Sequence, residues 1–463
     1  MGNLISSLYT GASGLFSSQT ALQVAGNNIA NVNTTGYSRQ TSNISSATPL
    51  QQGGLLYGTG STVDTIDRAG DAFITKQLVA QSADYGEYEA ASTPLADIEQ
   101  ILDIGDSSLS GDIDSFFDSW EELSTNPAGT TERQQVVQEA EDLAAHFTRI
   151  DQQLTEVVDS INATIEAALP SLNDQLQQIA DLNATIMQTE IAGGDANTLH
   201  DQRDLLLQQV SETCGATTYN DDKGMVCVQL ANGLPLVTGN VASTFSSEQV
   251  DGSAQITLTS GQSHFSLAYG DMGGKLNGLL SVRDVTVPEI IDDIDRLAYE
   301  ISTAVNSLHT TGIDGNGDAG GGLFTLAAPT DPSADAWQGA AASIAVAFDD
   351  PALIAAGATT TTGDNTLTLS IAALREAAGI NGATYGEEYA RIAAKAGQMA
   401  SSNEQKLTTS AELLDETNTK RDAIAGVSTD EEMLLLIQYQ AGYEAASNYL
   451  SVVKEMLDTL LQM

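Results

Sequence analysis

The two ends of this chain constrain its fold more than anything between them. Leu8, Leu15, Leu22 and Ile29 recur every seven residues, and Gly11, Ser18, Ala25 and Val32 follow each by three. That is a heptad seam whose second row is mostly small, so a partner helix can approach closely there. At the other end Leu436, Tyr443, Leu450 and Leu457 repeat by seven, with Tyr439, Ala446, Val453 and Leu460 as the second row. Bulky residues on the second seam complement small ones on the first, so the ends are expected to pair as a coiled coil. Two roles remain open for the seams: packing inside one chain, or that together with contact to neighbouring copies.

Charge sharpens this expectation. Residues 1–63 hold one charged side chain, Arg39, although the whole chain has 62 Asp and Glu against 17 Lys and Arg, a net charge of -45. The N-terminal segment reads as covered, because ions there would need desolvation. So acidic a chain repels phosphates and anionic lipid, which argues against nucleic acid or membrane partners. No window approaches 18 apolar residues in a row. The N-terminus lacks the basic region of a cleavable signal peptide, so these signals alone read as cytoplasmic.

Between the ends, apolar spacing predicts helices over Asp64–Asp103, broken near Pro94, and Gly111–Leu123. A long run over Thr131–Ile191 is bent or divided at Pro170, followed by Thr198–Glu212, Val285–Leu308 and Tyr385–Ile424. Strand-like pieces fall at Met225–Leu230, Leu234–Val237, Gln255–Leu258 and Phe265–Tyr269, and a β-leaning stretch at Leu323–Ser370. The expected fold is mainly α with β insertions: terminal helices paired as a coiled coil, a helix-bundle trunk and outward β-rich domains. Residues 1–40 plus 426–463 would form the terminal domain, and 41–214, 271–312 and 384–425 the helix-rich middle domain. Residues 215–270 would be a β insertion and 313–383 an outer β-leaning domain.

Chemistry is hard to find. The four histidines show no ligand spacing. Gly315, Gly317 and Gly320 satisfy a dinucleotide-type spacing, but Gly321-Gly322-Leu323 follows in place of a helix. Asp314, Asn316 and Asp318 stand at calcium-loop spacing, yet Ala319 and Thr325 occupy positions that need Gly and Glu. Gly274-Lys275 lacks the upstream glycine of a phosphate loop. No catalytic, metal or cofactor-binding residue is assigned, and no cofactor is expected. Cys214 and Cys227 allow one disulfide without fixing whether they pair.

The run Gly26-Asn27-Asn28-Ile29-Ala30-Asn31-Val32-Asn33-Thr34-Thr35-Gly36-Tyr37-Ser38-Arg39-Gln40 resembles the N-terminal signature of bacterial flagellar rod, hook and hook-associated proteins. Gly36–Gln40 and the C-terminal runs Gly426–Glu432 and Gln438–Ala446 resemble its hook-associated protein 1 branch. So do Phe116-Phe117, Asn126-Pro127, Glu132-Arg133-Gln134, Asp201-Gln202-Arg203-Asp204, Gly273-Gly274-Lys275-Leu276, Gly278-Leu279-Leu280 and Arg283-Asp284. The family commonly has Pro where Thr35 stands, and this chain is shorter than many members, which implies a looser turn and a reduced outer domain.

The resemblance implies a non-enzymatic structural subunit at the hook-filament junction, extracellular and exported uncleaved by the flagellar type III system. Its partners would be copies of itself, hook protein, the next hook-associated protein or filament, and an export chaperone on the C-terminal helix from Leu436 to Leu460. The expected assembly interface comprises Leu8, Leu15, Leu22, Asn27, Asn28, Ile29, Asn31, Val32, Leu436, Tyr439, Tyr443, Leu450, Val453, Leu457 and Leu460. For the three asparagines, ending a helix and bonding between copies remain equal alternatives. The rival functions are another axial flagellar subunit (hook or rod) and a secreted adhesin or surface enzyme with a polar cleft between residues 215 and 375.

Overall fold

A computed structural model describes residues 2–462 apart from 53, 104, 106, 107, 251, 252, 330–332 and 362. It is mainly helical, and the first and last helices, α1 (Gly2–Ala30) and the final helix (Thr429–Leu461), pack along each other. They run antiparallel: Gly11 lies against Leu450 and Tyr449, Gly14 against Ala446, and Gly442 against Ser18. At Gly11 the small row of α1 receives the bulky Leu450, as the two seams predict, whereas Gly14 on Ala446 and Ser18 on Gly442 are small against small.

Four strands follow α1: β1 (Gln40–Ser46), β2 (Leu50–Gln52), β3 (Leu55–Tyr57) and β4 (Ser61–Arg68). β1 pairs with β4 and β2 with β3, both antiparallel, making a long arm with a hairpin tip. This corrects the helical reading of Asp64 onward. Ser61–Arg68 carries Thr62, Val63, Thr65 and Ile66, β-branched residues that suit a strand. Helix α2 (Ala72–Ile101) starts only where Asp71 caps it, its carboxylate accepting the amides of Phe73 and Ile74.

The trunk is built from α2, α3 (Leu109–Thr125), α4 (Thr130–Ile191) and α5 (Asn197–Cys214). Neither internal proline breaks its helix: Pro94 is buried within α2, and α4 continues through Pro170 for 62 residues. Each proline removes one backbone bond, but buried apolar residues on both sides hold the helix against the trunk.

Next come seven strands: β5 (Thr217–Asn220), β6 (Val226–Gln229), β7 (Pro235–Thr238), β8 (Val241–Ala242), β9 (Thr244–Val250), β10 (Ser253–Ser260) and β11 (Ser263–Leu267). They make sheets of order β5-β6-β7-β8 and β11-β10-β9. Three asparagines on α4, spaced by about three helical turns, pin these sheets. Asn162 accepts the Ala254 amide, Asn173 bonds both backbone groups of Phe245, and Asn183 donates to the carbonyls of Val226 and Gly239. Cys214 and Cys227 are both buried and free, so no disulfide joins them, and burial pushes the Cys214 thiol up to about 12.

Helix α6 (Gly274–Ser281) passes through a π-helical turn, Val282–Thr286, into α7 (Val287–His309), so this helical stretch begins earlier than periodicity suggested. The stretch Leu323–Ser370 also differs from its β-leaning reading. It has two two-residue strands, β12 (Phe324–Thr325) and β13 (Ala345–Val346), and two short helices, α8 (Ala340–Ser343) and α9 (Thr366–Ala372). Its Leu323, Phe324, Ile354 and Leu367, with Ile371 just beyond it, are buried in the same core as α3, α4 and α7. Scattered apolar residues among Ala, Gly and Thr supply anchors without the alternation a sheet needs. Helix α10 (Tyr385–Ala425), opened by the Thr384–Glu387 capping box, lies along α2 and leads through Gly426-Val427-Ser428 to α11 (Thr429–Leu461).

Candidate assembly surface

The residues where the terminal pair meets the trunk converge on one joint. Asn28 is completely buried near the end of α1. Its Nδ2 donates to the Gln40 carbonyl (2.8 Å), and its Oδ1 accepts the Gln40 amide (3.0 Å) and the Tyr37 hydroxyl (2.8 Å). Burial first, then the carboxylates of Asp201 and Glu432, push the Tyr37 phenol up to about 12, so it stays a neutral donor. Gly36 takes φ of 80°, a left-handed conformation that reverses the chain after α1. The Arg39 amide donates to the Ala425 carbonyl at the end of α10 (2.7 Å), and the Arg421 guanidinium to the Tyr37 carbonyl (3.2 Å). Ser428 caps α11 by accepting the Glu431 amide, and Glu431 pairs with Arg39.

Asp201 on α5 completes the joint. One oxygen accepts the Ser38 amide (3.0 Å) and the other holds Arg68 (2.9 Å), which also reaches Asp204 (2.8 Å). Arg203 turns inward to Asn183 and His200. The separated motifs Gly36–Gln40, Asp201–Asp204 and Gly426–Glu432 are thus one clasp. Asp201→Ala is expected to cost roughly 2–3 kcal/mol, since the buried Ser38 amide loses its acceptor and Arg68 loses one of its two carboxylates. Asp204→Ala, on the more exposed carboxylate, should cost under about 1 kcal/mol. Urea unfolding of both variants compares them, and equal losses would contradict the clasp.

The seam residues divide by position. Leu8, Leu15, Leu22, Ile29, Leu436, Tyr439, Leu450 and Leu457 are half-buried, and Val453 is buried. Tyr443 is 37% exposed and Leu460 51%. The antiparallel register sets Leu460 level with the very start of α1, where the seam ends. Val32 lies beyond the end of α1 in a turn and is exposed, off the seam on which spacing placed it. The asparagines act within the chain: Asn31 donates to Asn27 and accepts from Thr34, and Asn28 is wholly enclosed. For Asn28 this corrects the interface assignment, because an atom without accessible surface cannot meet another copy.

Ser17, Ala21 and Val24 were missed. Ser17, Ala21, Val24 and Asn28 form a second buried stripe on α1, and the strand arm covers it: Ser13 and Ser17 bond Ser61, and Gly60 passes so close that a Cβ would lie 1.9 Å from the Ser13 hydroxyl. The pair also leaves a broad apolar exterior. Ile5, Tyr9 and Phe16 on α1 and Leu434, Ile437 and Val452 on α11 are exposed, as are Leu50, Leu55, Leu56 and Tyr57 on the β2–β3 hairpin. The run Leu55-Leu56-Tyr57 within an uncharged stretch was the available signal.

The nearest approach to chemistry lies elsewhere. A polar cleft of about 480 Å³ is lined by Asp97, Asp103, His146, Arg149 and Tyr389, between α2, α4 and α10 and outside residues 215–375. Asp314 uses one carboxylate oxygen to accept the amides of Asn316 and Asp318, a polar turn.

Three family models match the chain. Two fall on the paired ends: flagella basal body rod protein over residues 8–37, and flagellar basal body rod FlgEFG protein C-terminal over 423–463. Both ends of the chain thus match models of flagellar basal body rod proteins, which sets its class. The third, flagellar hook-associated protein FlgK helical domain, covers residues 95–324. Flagellar hook-associated protein 1 of Escherichia coli K12 is 32% identical over 70% of this chain and 61% of its own length. That of Salmonella typhimurium LT2 is 32% identical over 68% and 59%. The Bacillus subtilis 168 protein is 28% identical over 98% of this chain and 97% of itself. The chain belongs to the flagellar hook-associated protein 1 family, whose members are structural flagellar proteins. It spans about three fifths of the length of the two enterobacterial relatives. The fold is that of the hook junction protein FlgK from Burkholderia pseudomallei, with a TM-score of 0.69 at 16% identity, over 76% of this chain and 100% of that one.

Proposed function

We propose that this chain is a structural subunit of the bacterial flagellum at the junction between hook and filament, assembled through its terminal helices. One observation carries the reading: a two-helix rod, uncharged on α1, leaves its seam leucines half-covered and presents further apolar side chains outward. An isolated pair that exposes so much apolar surface stays poorly satisfied until other helices surround it. Copies of the same chain supply them. The contacts would use Leu8, Leu15, Leu22, Ile29, Leu436, Tyr439, Tyr443, Leu450, Val453, Leu457 and Leu460, extended by the exposed hairpin.

In this reading residues 1–40 with 426–463 form the core-lining domain, and the acidic trunk stays wet at larger radius. The rod orders as it assembles, because a glycine-containing helix of this length is marginal alone. Hook protein lies on one side and the next hook-associated protein or filament on the other. The chain leaves the cell through the flagellar type III channel without a cleaved signal peptide, with α11 held by an export chaperone beforehand. The FlgK helical-domain match supports the junction over a rod or hook subunit. Electron microscopy of a deletion strain tests the reading: hooks without filaments, with filament protein shed into the medium, are expected. Normal filaments in that strain would overturn it.

A further inference from the structure

The acidic excess is not neutralised from within. With 62 acids against 17 Lys and Arg, the bases are few, and several are already saturated. Arg68, Lys275, Arg375 and Lys395 each hold two carboxylates. Arg133 faces the carbonyls of Pro127 and Ile354, and Arg203 faces Asn183. Some other acids pair singly or accept protein donors, as Glu431 does from Arg39 and Asp295 from the Gly339 and Ala341 amides, yet carboxylates still crowd one another. Glu87 is pushed up by burial and by Asp84, Glu139 by burial and by Asp142 and Asp112, and Asp295 by burial and by Asp151 and Asp292. Among the described residues no group of acids is arranged to hold a discrete metal ion, so any countercharge is diffuse.

Length scales decide how much salt matters. Helical neighbours three or four residues apart are about 5–6 Å from each other. The screening length is about 10 Å at 0.1 M salt and about 3 Å at 1 M. Carboxylates on α4 and α10 therefore still repel in dilute salt and cease to do so only near molar concentration. The same salt weakens the ion pairs, but exposed pairs contribute little and are outnumbered by unpaired acids. Net repulsion destabilises the compact state and opposes close approach of two such molecules.

We infer that dissolved monovalent salt is a structural component of this protein: its fold, and its packing against copies of itself, are set for a medium of high ionic strength whose cations supply the countercharge the chain lacks. The packing half rests on the assembly reading above; the folding half does not.

The test uses the full chain and a variant carrying Glu141→Gln, Glu156→Gln, Asp159→Asn, Asp174→Asn, Glu412→Gln and Asp415→Asn, all exposed positions. Thermal unfolding is followed in NaCl and KCl, with self-association followed by sedimentation in the same series. From about 0.1 M to about 1 M salt the parent Tm should rise by roughly 5–10 °C, equally for both cations. The variant should start higher and rise only about three quarters as far, because it has less repulsion to screen. Association should need high salt in the parent and less in the variant. A parent Tm that does not move with salt, or equal rises in parent and variant, would overturn the inference. A salt-dependent Tm with no association at any concentration would support the folding half and count against the assembly reading instead.

Discussion

A chain without residues 1–24 is expected to fold its trunk normally and to restore no filaments to a deletion strain. The main core draws on residues from Val79 to Ala396 and includes none from α1 or α11, so trunk unfolding should stay within about 3 °C of the parent. The cut also spares Asn28, Tyr37 and Asp201, so the clasp can still close. What is lost is the rod. Leu8, Leu15 and Leu22 leave the seam, and Ile5, Tyr9 and Phe16 leave the outer face. Each large side chain buried on assembly contributes roughly 1.5–3 kcal/mol, so their joint removal should weaken packing by at least about 1,000-fold. Counting filaments per cell, beside calorimetry of the purified chain, checks both halves. Normal filaments from the truncated chain would show that α1 is not the assembling element.

Gly278→Val is expected to give the largest loss of trunk stability from a single substitution. Helix α6 lies so close to α2 that a Cβ at Gly278 would stand 2.1 Å from the Glu87 carbonyl oxygen; α5 is as close on another side, where a Cβ at Gly86 would stand 2.2 Å from the Glu212 carbonyl oxygen. Backbone cannot swing aside as a side chain can. The two helices must separate, which should cost about 3 kcal/mol or more. Gly397 provides the contrast inside the same trunk: a Cβ there meets only the flexible end of Glu99 at 3.4 Å. Gly397→Ala should therefore be neutral or stabilise by up to about 1 kcal/mol through helix propensity. Urea denaturation of both variants decides, and a stable Gly278→Val protein would refute the close contact.

These two glycines show how legible the chain was. The family motif singled out Gly278 and not Gly397, but only the neighbour across the helix boundary gives the physical reason. Gly273-Gly274-Lys275-Leu276 and Gly278-Leu279-Leu280 were recognisable as family motifs, but their physical reason, room for the backbones of α2 and α5, needed the fold. Asp201 was likewise visible in a motif and unreadable as a clasp, because its partners Ser38 and Arg68 lie more than a hundred residues away. The strand arm was misread because its short strands are dominated by Ser, Thr and Gln, with few apolar residues to show a period of two.

The sequence by itself determined the local matters: where apolar residues recur at helical spacing, which end carries small residues and which large, and that the first 63 residues avoid charge. Those follow from side-chain chemistry acting within a few turns, so they survive without a fold. The tertiary structure alone decided that both proline-containing helices run unbroken, that Asn28 is enclosed, that Leu323–Ser370 enters the trunk core, and how much apolar surface the terminal pair leaves uncovered. Each depends on which distant segment lies alongside, and burial against that segment outweighs the local preference.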